Sequence, residues 1–338
     1  MSRMRGLAAK LRVLLQPRAV VGLALSGILL GFVINWANVG MVGAALRRFP
    51  PILLPVLFGL AVAREAIRVR EWRYLLGQLR LHPSWRHTLL AVLLGDGSQI
   101  LPAGIYIQNW LLQRTEEADV GVSLAATLGM QLLEGAVALA ALCVIGVPGW
   151  GWLRPAALVV AGGYVAFLLL VSRPAVVRFI ERHAVRAGLA GLLLRELENF
   201  LQGLDRLLVW PVIGRACLLT VVYLAFTISA FWVIVQAYGL ASIGPLQALA
   251  IYAFVLAIII INPLPSDLGI SELSGTGILL AFGVPVAEGL TVMLIARFSL
   301  LLSVDVLALG ATALLRRSIR STINPGDSAE QPATLLNA

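Results

Sequence analysis

Seven ionisable side chains sit where hydrocarbon would not tolerate them alone. Asp96, Glu134, Asp267, Glu272, Glu288, Arg297 and Asp305 lie in or beside long apolar stretches, with Gln99, Gln108, Asn109, Gln131 and Asn262 as neutral polar company. A carboxylate or guanidinium at the centre of a membrane helix costs about 2.5–3.5 kcal/mol on insertion scales, so each needs a counter-charge, water or a change of protonation. The polar residues gather at two breaks. Asp96 and Gln99 flank a break that runs on through Leu101-Pro102-Ala103-Gly104, and Asp267 and Glu272 flank Asn262-Pro263-Leu264-Pro265-Ser266-Asp267-Leu268-Gly269. Half-helices that start after Pro102 and Pro265 would turn unpaired N–H groups toward a phosphate or carboxylate, and an arginine fork such as Arg297 could grip the same anion. Plainer roles stay open: Asp267 as a helix cap, Asp96 as a turn cap, and a Glu134–Arg297 or Glu272–Arg297 pair that only joins two parts of the fold.

Other chemistries find little support in the residue types. Cys143 and Cys217 lie about 70 residues apart in apolar segments, without disulfide or metal-ligand spacing, and read as packing residues. His82, His87 and His183 fall in charged connections, so no metal site and no cofactor is expected within the membrane. A glycine-rich phosphate loop ending in lysine is missing, so an ATP-driven cycle is not expected either. A membrane-embedded phosphatase or glycosyl transferase acting on a polyprenyl lipid is the competing enzymatic reading. Such phosphatases need a serine, arginine and acidic cluster at the breaks, and Ser98 and Ser266 have no adjacent arginine. A non-catalytic membrane partner of lipid-modifying enzymes is the third reading.

The elements that must position these groups are membrane helices. The 338 residues are 59% hydrophobic and 13% charged, with mean hydropathy +0.91, far more apolar than a water-facing domain. Spans are expected near 19–39, 50–69, 118–147, 153–172, 211–238 and 285–315. The interrupted regions 87–113 and 245–283 divide into halves of roughly 14–18 residues, short of or barely equal to a span, and read as re-entrant hairpins. Backbone freed by proline and glycine cannot face lipid, so two breaks argue for one polar interior. The expected fold is therefore an all-α polytopic membrane protein with about six transmembrane helices plus two re-entrant hairpins. Treating the breaks as kinks gives eight helices instead.

The net charge of +9 rests on arginines confined to a few loops, which points to anionic lipid headgroups rather than nucleic acid. With both termini cytoplasmic in a cell (inner) membrane, all 26 basic residues except Arg47, Arg48, Arg154 and Arg297 fall inside or at its boundary. Residues 1–18 form a basic cytoplasmic segment leading into a retained first helix, 19–315 a single membrane domain, and 316–338 a disordered tail. Within the domain, three helices and a hairpin occur twice, about 19–147 and about 153–315, the hairpins entering from opposite sides. Thirty-two residues separate Pro102 from Glu134 and Pro265 from Arg297, and this register aligns Met130 with Met293. Inverted repeats of this kind commonly place broken helices around a midplane site. The basic and apolar segment 173–207 reads as an amphipathic helix on the cytoplasmic surface. The strip Arg64 to Arg86, with Trp72, Tyr74 and Trp85, reads as a headgroup-depth extension of the second helix.

The second break, Leu264-Pro265-Ser266-Asp267-Leu268-Gly269-Ile270-Ser271-Glu272, followed by Gly283-Val284-Pro285, Ala287 and Arg297, resembles the lysylphosphatidylglycerol synthase transmembrane family, also called flippase-like. Trp72-Arg73, Leu101-Pro102-x-Gly104, Trp110-Leu111-Leu112 and Glu134 extend the resemblance over most of 19–315. Departures mark a divergent member. Ile105 and Gln108 stand where the family carries an acidic residue and an arginine, Gly135 where an arginine is usual, and Ser266-Asp267 where paired glycines are usual. The resemblance implies movement of a phospholipid or lipid-linked headgroup between leaflets, and no aminoacyl transfer by this chain alone. The expected site is Asp267, Glu272 and Arg297, faced by Asp96, Gln99 and Glu134, with Pro102, Gly104, Pro263, Pro265 and Gly269 as the backbone breaks.

Overall fold

The structure is a computed structural model that describes residues 38–98, 104–116, 118–145, 191–261 and 269–323, together with isolated positions between 28 and 35 and between 151 and 166. The expected first and fourth spans, residues 173–190, the tail beyond 323 and the site residues Gln99, Pro102, Pro263, Pro265 and Asp267 lie outside the described residues.

Every described element is helical. In chain order they are α1 (Val39–Arg48), a 3-10 turn (Pro51–Leu53), α2 (Leu54–Gln78), α3 (Trp85–Gly97), α4 (Gly104–Glu116), α5 (Val120–Ile145), α6 (Gly191–Leu207), α7 (Trp210–Ala237), α8 (Pro245–Ile261), α9 (Ile270–Ala281) and α10 (Val286–Ile323). Three of them, α5, α7 and Val286–Leu314 of α10, are long and apolar enough to cross a membrane. At 1.5 Å per residue, their 26 to 29 residues reach roughly 39–44 Å. The chain is an all-α polytopic membrane protein.

Both interrupted regions fold back on themselves rather than cross as kinked spans. Ser84 N–H, at the start of α3, donates to Glu116 Oε1 at the end of α4 (2.9 Å), and His87 Nδ1 meets the same oxygen at 2.7 Å. Gly95 and Gln108 face each other nearer the break, where a Cβ on Gly95 would lie 2.8 Å from that of Gln108. The close approach requires glycine. For α8 and α9 the argument runs through their neighbours. Tyr238 O–H, just after α7, donates to Ala45 O of α1 (3.0 Å), and Arg48 of α1 pairs with Glu288 at the start of α10 (3.4 Å). The end of α7 and the start of α10 therefore share one end of the bundle, and α8 and α9 between them must leave that end and return to it.

Contacts between elements come in exchangeable pairs. α3 packs on α10 as α8 packs on α5; α2 packs on α10 as α7 packs on α5; α4 packs on α5 as α9 packs on α10; and α2 and α7 pack on each other. An offset of 163 residues, which carries Pro102 to Pro265 and Glu134 to Arg297, also brings the starts of α2, α3, α4 and α5 to within about seven residues of those of α7, α8, α9 and α10.

Two expectations need correction. The strip beginning at Arg64 is not uniformly at headgroup depth. Ala61, Glu65, Arg68, Trp72, Leu75 and Leu76 of α2 are all 4% exposed or less, a stripe at helical spacing that faces α5 and α7. Arg70, Arg73, Arg80, Trp85 and Arg86 keep the surface role, with the Arg73 guanidinium 5.4 Å from the Trp85 ring. The C-terminal part of α6 is likewise packed against protein: Leu204 and Leu207 join the core with Leu79 and Ala125, and Gly203 lies against Ala125.

Candidate functional site

From Gly269 onward, the end of the second break has a local structure that accounts for its residues. Gly269 takes φ 81, a conformation that costs glycine little and other residues much. The chain turns there into α9, and Glu272, in its first turn, folds back to accept the Gly269 N–H at 2.6 Å. A carboxylate at a helix N-terminus satisfies an orphan donor and opposes the helix dipole. Glu272 also accepts the Ser271 hydroxyl at 3.0 Å and, through its other oxygen, Arg297 Nη1 of α10 at 2.9 Å, while Arg297 Nη1 also donates to Ser271 Oγ at 2.7 Å. Gly275 permits this closeness by resting directly against Met293. The result is a compact group with one cation and one anion, with Glu272 1% exposed.

The first half builds a different group. Arg68 of α2 lies between two carboxylates, its Nε 2.9 Å from Asp96 Oδ2 of α3 and its Nη1 3.2 Å from Glu134 Oε2 of α5. One turn earlier, Arg64 pairs with Glu65 at 2.7 Å and donates to the Tyr223 hydroxyl of α7. Both guanidiniums lie within 5 Å of the Tyr223 ring, so the phenol orients them through its face as well as its oxygen. One turn later, Glu71 accepts the Thr220 hydroxyl at 2.7 Å. Trp72 Nε1 donates to Thr127 Oγ1 (3.0 Å), which donates to Asn109 Oδ1 (3.2 Å) and so ties α2 to α5 and α4. Such networks hold elements in one arrangement when every member has a partner.

The two groups border one cavity of about 140 Å³. Arg64 and Asp96 from the first half and Ser271, Glu272 and Arg297 from the second line it together with Thr227, Tyr252 and largely apolar side chains. Such a space admits a small polar group flanked by hydrocarbon.

Of the expected site residues, Asp96, Glu272 and Arg297 are brought together at this cavity. Glu134 is not Arg297's partner, because Arg68 lies within reach of its carboxylate and Glu272 already occupies Arg297. Gly104 begins α4 and Gly269 precedes α9. Asp305 is aimed at the backbone of Gly97, and Glu288 is a surface partner of Arg48. Arg64, Glu65, Arg68, Glu71 and Tyr223 were not expected at the site. Their signal was phase: Glu65, Arg68 and Trp72 recur at spacings of three and four on the stripe that also carries Ala61, Leu75 and Leu76. No group of three or more metal-ligating side chains occurs among the described residues.

Among curated proteins no sequence match is found. The sequence matches the family described as the lysylphosphatidylglycerol synthase TM region over residues 19–308. That match spans most of the chain, including α1 to α9, both charged groups and the cavity between them, and the protein belongs to this family.

Proposed function

We propose that the protein moves an anionic phospholipid, or a lipid-linked headgroup, between leaflets, with the phosphate passing through the cavity between Arg64 and Arg297. The observation that carries this reading is the cavity itself. Cationic side chains from both halves line it, its remaining lining is largely apolar, and the whole lies in a membrane domain. A lipid headgroup attached to acyl chains has the same division of polarity. Arginine suits the task because its planar fork binds two phosphate oxygens at once and loses less solvation than lysine.

Asp267 and Gln99, at the breaks, complete this site in the proposal, next to half-helix N-termini that favour an anion. The paired contacts and the shared 163-residue register support an inverted repeat, in which the two hairpins alternate as gates. The arginine distribution supports a cell-membrane orientation with both termini and residues 173–207 in the cytoplasm. Labelling of a cysteine at position 190 from outside intact cells would overturn that orientation.

The functional test is a dithionite-quench assay on proteoliposomes carrying fluorescent lipids of different headgroups. Arg297→Gln should abolish protein-dependent exchange of an anionic lipid while the protein still inserts, and Arg297→Lys should restore little of it. A purely structural pair would behave otherwise: replacing Arg297 and Glu272 together by apolar residues would then restore folding and exchange alike. Full exchange by that double variant would refute the phosphate clamp.

A further inference from the structure

The first-half group has more acid than base. Four carboxyls, Glu65, Glu71, Asp96 and Glu134, surround two guanidiniums, Arg64 and Arg68. Glu65, Glu71 and Asp96 are 2%, 1% and 5% exposed, so an unpaired ionised carboxylate among them has no water to screen it. Glu134 and one oxygen each of Asp96 and Glu65 face arginine, and Glu71 has Thr220. Glu65 Oε2 is different. It is buried and receives no hydrogen bond, and the Asp96 carboxylate is held against the same stretch of α2 by Arg68, three residues on. Buried carboxyls gathered into one group disfavour each other's ionised form, so such a group favours a bound proton.

We propose that the Glu65–Asp96 pair is a proton-binding site, and that its proton is taken up together with the anionic headgroup. The coupling rests on the lipid-translocation function proposed for the cavity; the proton site itself rests on the carboxyl geometry. The proton comes from water and bonds to a carboxylate oxygen of the pair, Glu65 Oε2 in the geometry seen, which turns an anion into a neutral acid. Arg64 then loses its nearest counter-charge, since Glu65 Oε1 is its partner at 2.7 Å. Arg64 also lines the cavity, with its Nε unpartnered. Protonation therefore releases cationic charge toward the entering phosphate, and departure of the proton restores the internal pair and weakens the hold. Asp96 lies near the end of α3, beside the first break, so the same proton decides whether that hairpin is drawn toward α2 or repelled from it.

The surrounding charged and titratable groups are consistent with uptake at this place. Arg64, Arg68 and Glu71 flank the pair on α2; Tyr223 faces it from α7, Glu134 from α5 and Tyr252 from α8. Across the cavity, Arg297 of α10 and Glu272 of α9 neutralise each other. Asp305 of α10 is aimed at Gly97, one residue from Asp96, and adds to the local acidity.

The test uses the full chain in nanodiscs and dihexanoyl phosphatidylglycerol as probe. Calorimetry in buffers of different ionisation enthalpy should show about one proton taken up per probe bound, with affinity falling about tenfold per pH unit on the alkaline side. Glu65→Gln, which imitates the protonated state, should bind the probe with no proton uptake and a flat pH profile. Binding by the wild type without uptake, or uptake that persists in Glu65→Gln, overturns the coupling. A second measurement needs no probe. The infrared band of a buried protonated carboxyl should be present in the wild type and lost in both Glu65→Gln and Asp96→Asn, and its absence from the wild type overturns the proton site. A wild type that shows the band but binds no probe at any pH overturns the headgroup reading and the coupling, and leaves the proton site standing.

Discussion

The helices α2 and α7 occupy matching places, each leading into a hairpin and a long final helix, yet they solve burial in opposite ways. At the 163-residue offset Arg64 corresponds to Thr227 and Arg68 to Phe231. α2 carries its charges on its buried stripe, whereas α7 buries Phe231, Ile234 and Val235 and offers only the hydroxyls of Thr220, Tyr223 and Thr227. The balance of charge follows. Among the described residues, the second half's group has one arginine for one carboxylate and is closed by backbone and serine donors, whereas the first half's group has surplus acid. One architecture thus supports a self-sufficient ion pair on one side and a titratable cluster on the other, and the cavity lies where they meet.

The largest expected effect that would break this contrast is on stability. Among the described residues Arg68 faces two carboxylates and Arg297 one, so Arg68→Met strands Asp96 and Glu134 together, whereas of the described carboxylates Arg297→Met strands Glu272, which keeps its bonds from Gly269 and Ser271. Removing one partner of a buried pair costs about 3–5 kcal/mol, and Arg68→Met should fall at the upper end of that range and Arg297→Met below it. Thermal unfolding in detergent would check the order, and the reverse order would contradict this assignment of partners.

A smaller effect would sharpen the contrast between the hairpins. The open ends of α3 and α4 are tied by Glu116, whereas the matching position after α9's first turns is Leu279, buried in an apolar cluster with Ile278 and Val284. Burial pushes the Glu116 carboxyl up, but hydrogen bonds from Ser84 and the contact with His87 outweigh it and hold the group below the ordinary carboxylate value of 4.5. The sign follows from linkage: the tie contributes fully above the ordinary value and is lost as pH falls through the lowered one. Hydrogen exchange of the Ser84 amide should therefore accelerate on acidification below about 4.5, a change that Glu116→Gln removes. The amides around 282–285 should not respond. Equal acid sensitivity at both places would erase the distinction.

Much of this architecture was legible from the chain. Broken apolar runs too short to span gave the hairpins, because proline and glycine at membrane depth have few structural uses. Glu272 and Arg297 were legible as partners because an intramembrane charge requires one. The choice of Glu134's partner was not, since any of several arginines could have supplied the charge and only tertiary placement puts Arg68 beside it. The acid and arginine content of α2 masked its role: a run with Arg64, Arg68, Arg70 and Arg73 reads as a solvated strip by composition, and only its helical phase separates the buried Arg68 from the exposed Arg70 and Arg73. Divergence between the two halves hid the rest, because the second half offers no charged counterpart to α2.

The distribution of the ion pairs along the chain also bears on how the protein is made. Arg68, Asp96 and Glu134 all precede residue 145, and Glu272 and Arg297 both follow residue 269. These buried ion pairs can therefore form within each half as it leaves the ribosome, whereas Glu71 waits for Thr220 of α7 and the surface pair Arg48–Glu288 for the start of α10. Packing follows a different schedule, because α3 rests on α10, with Leu93 against Val304 and Ala308. At roughly 5–20 residues per second, α3 waits on the order of 10 to 40 s for that partner. During biogenesis the first hairpin is thus charge-satisfied but laterally uncovered, and the nascent chain depends on the insertion machinery or surrounding lipid to shield it until its last long helix arrives.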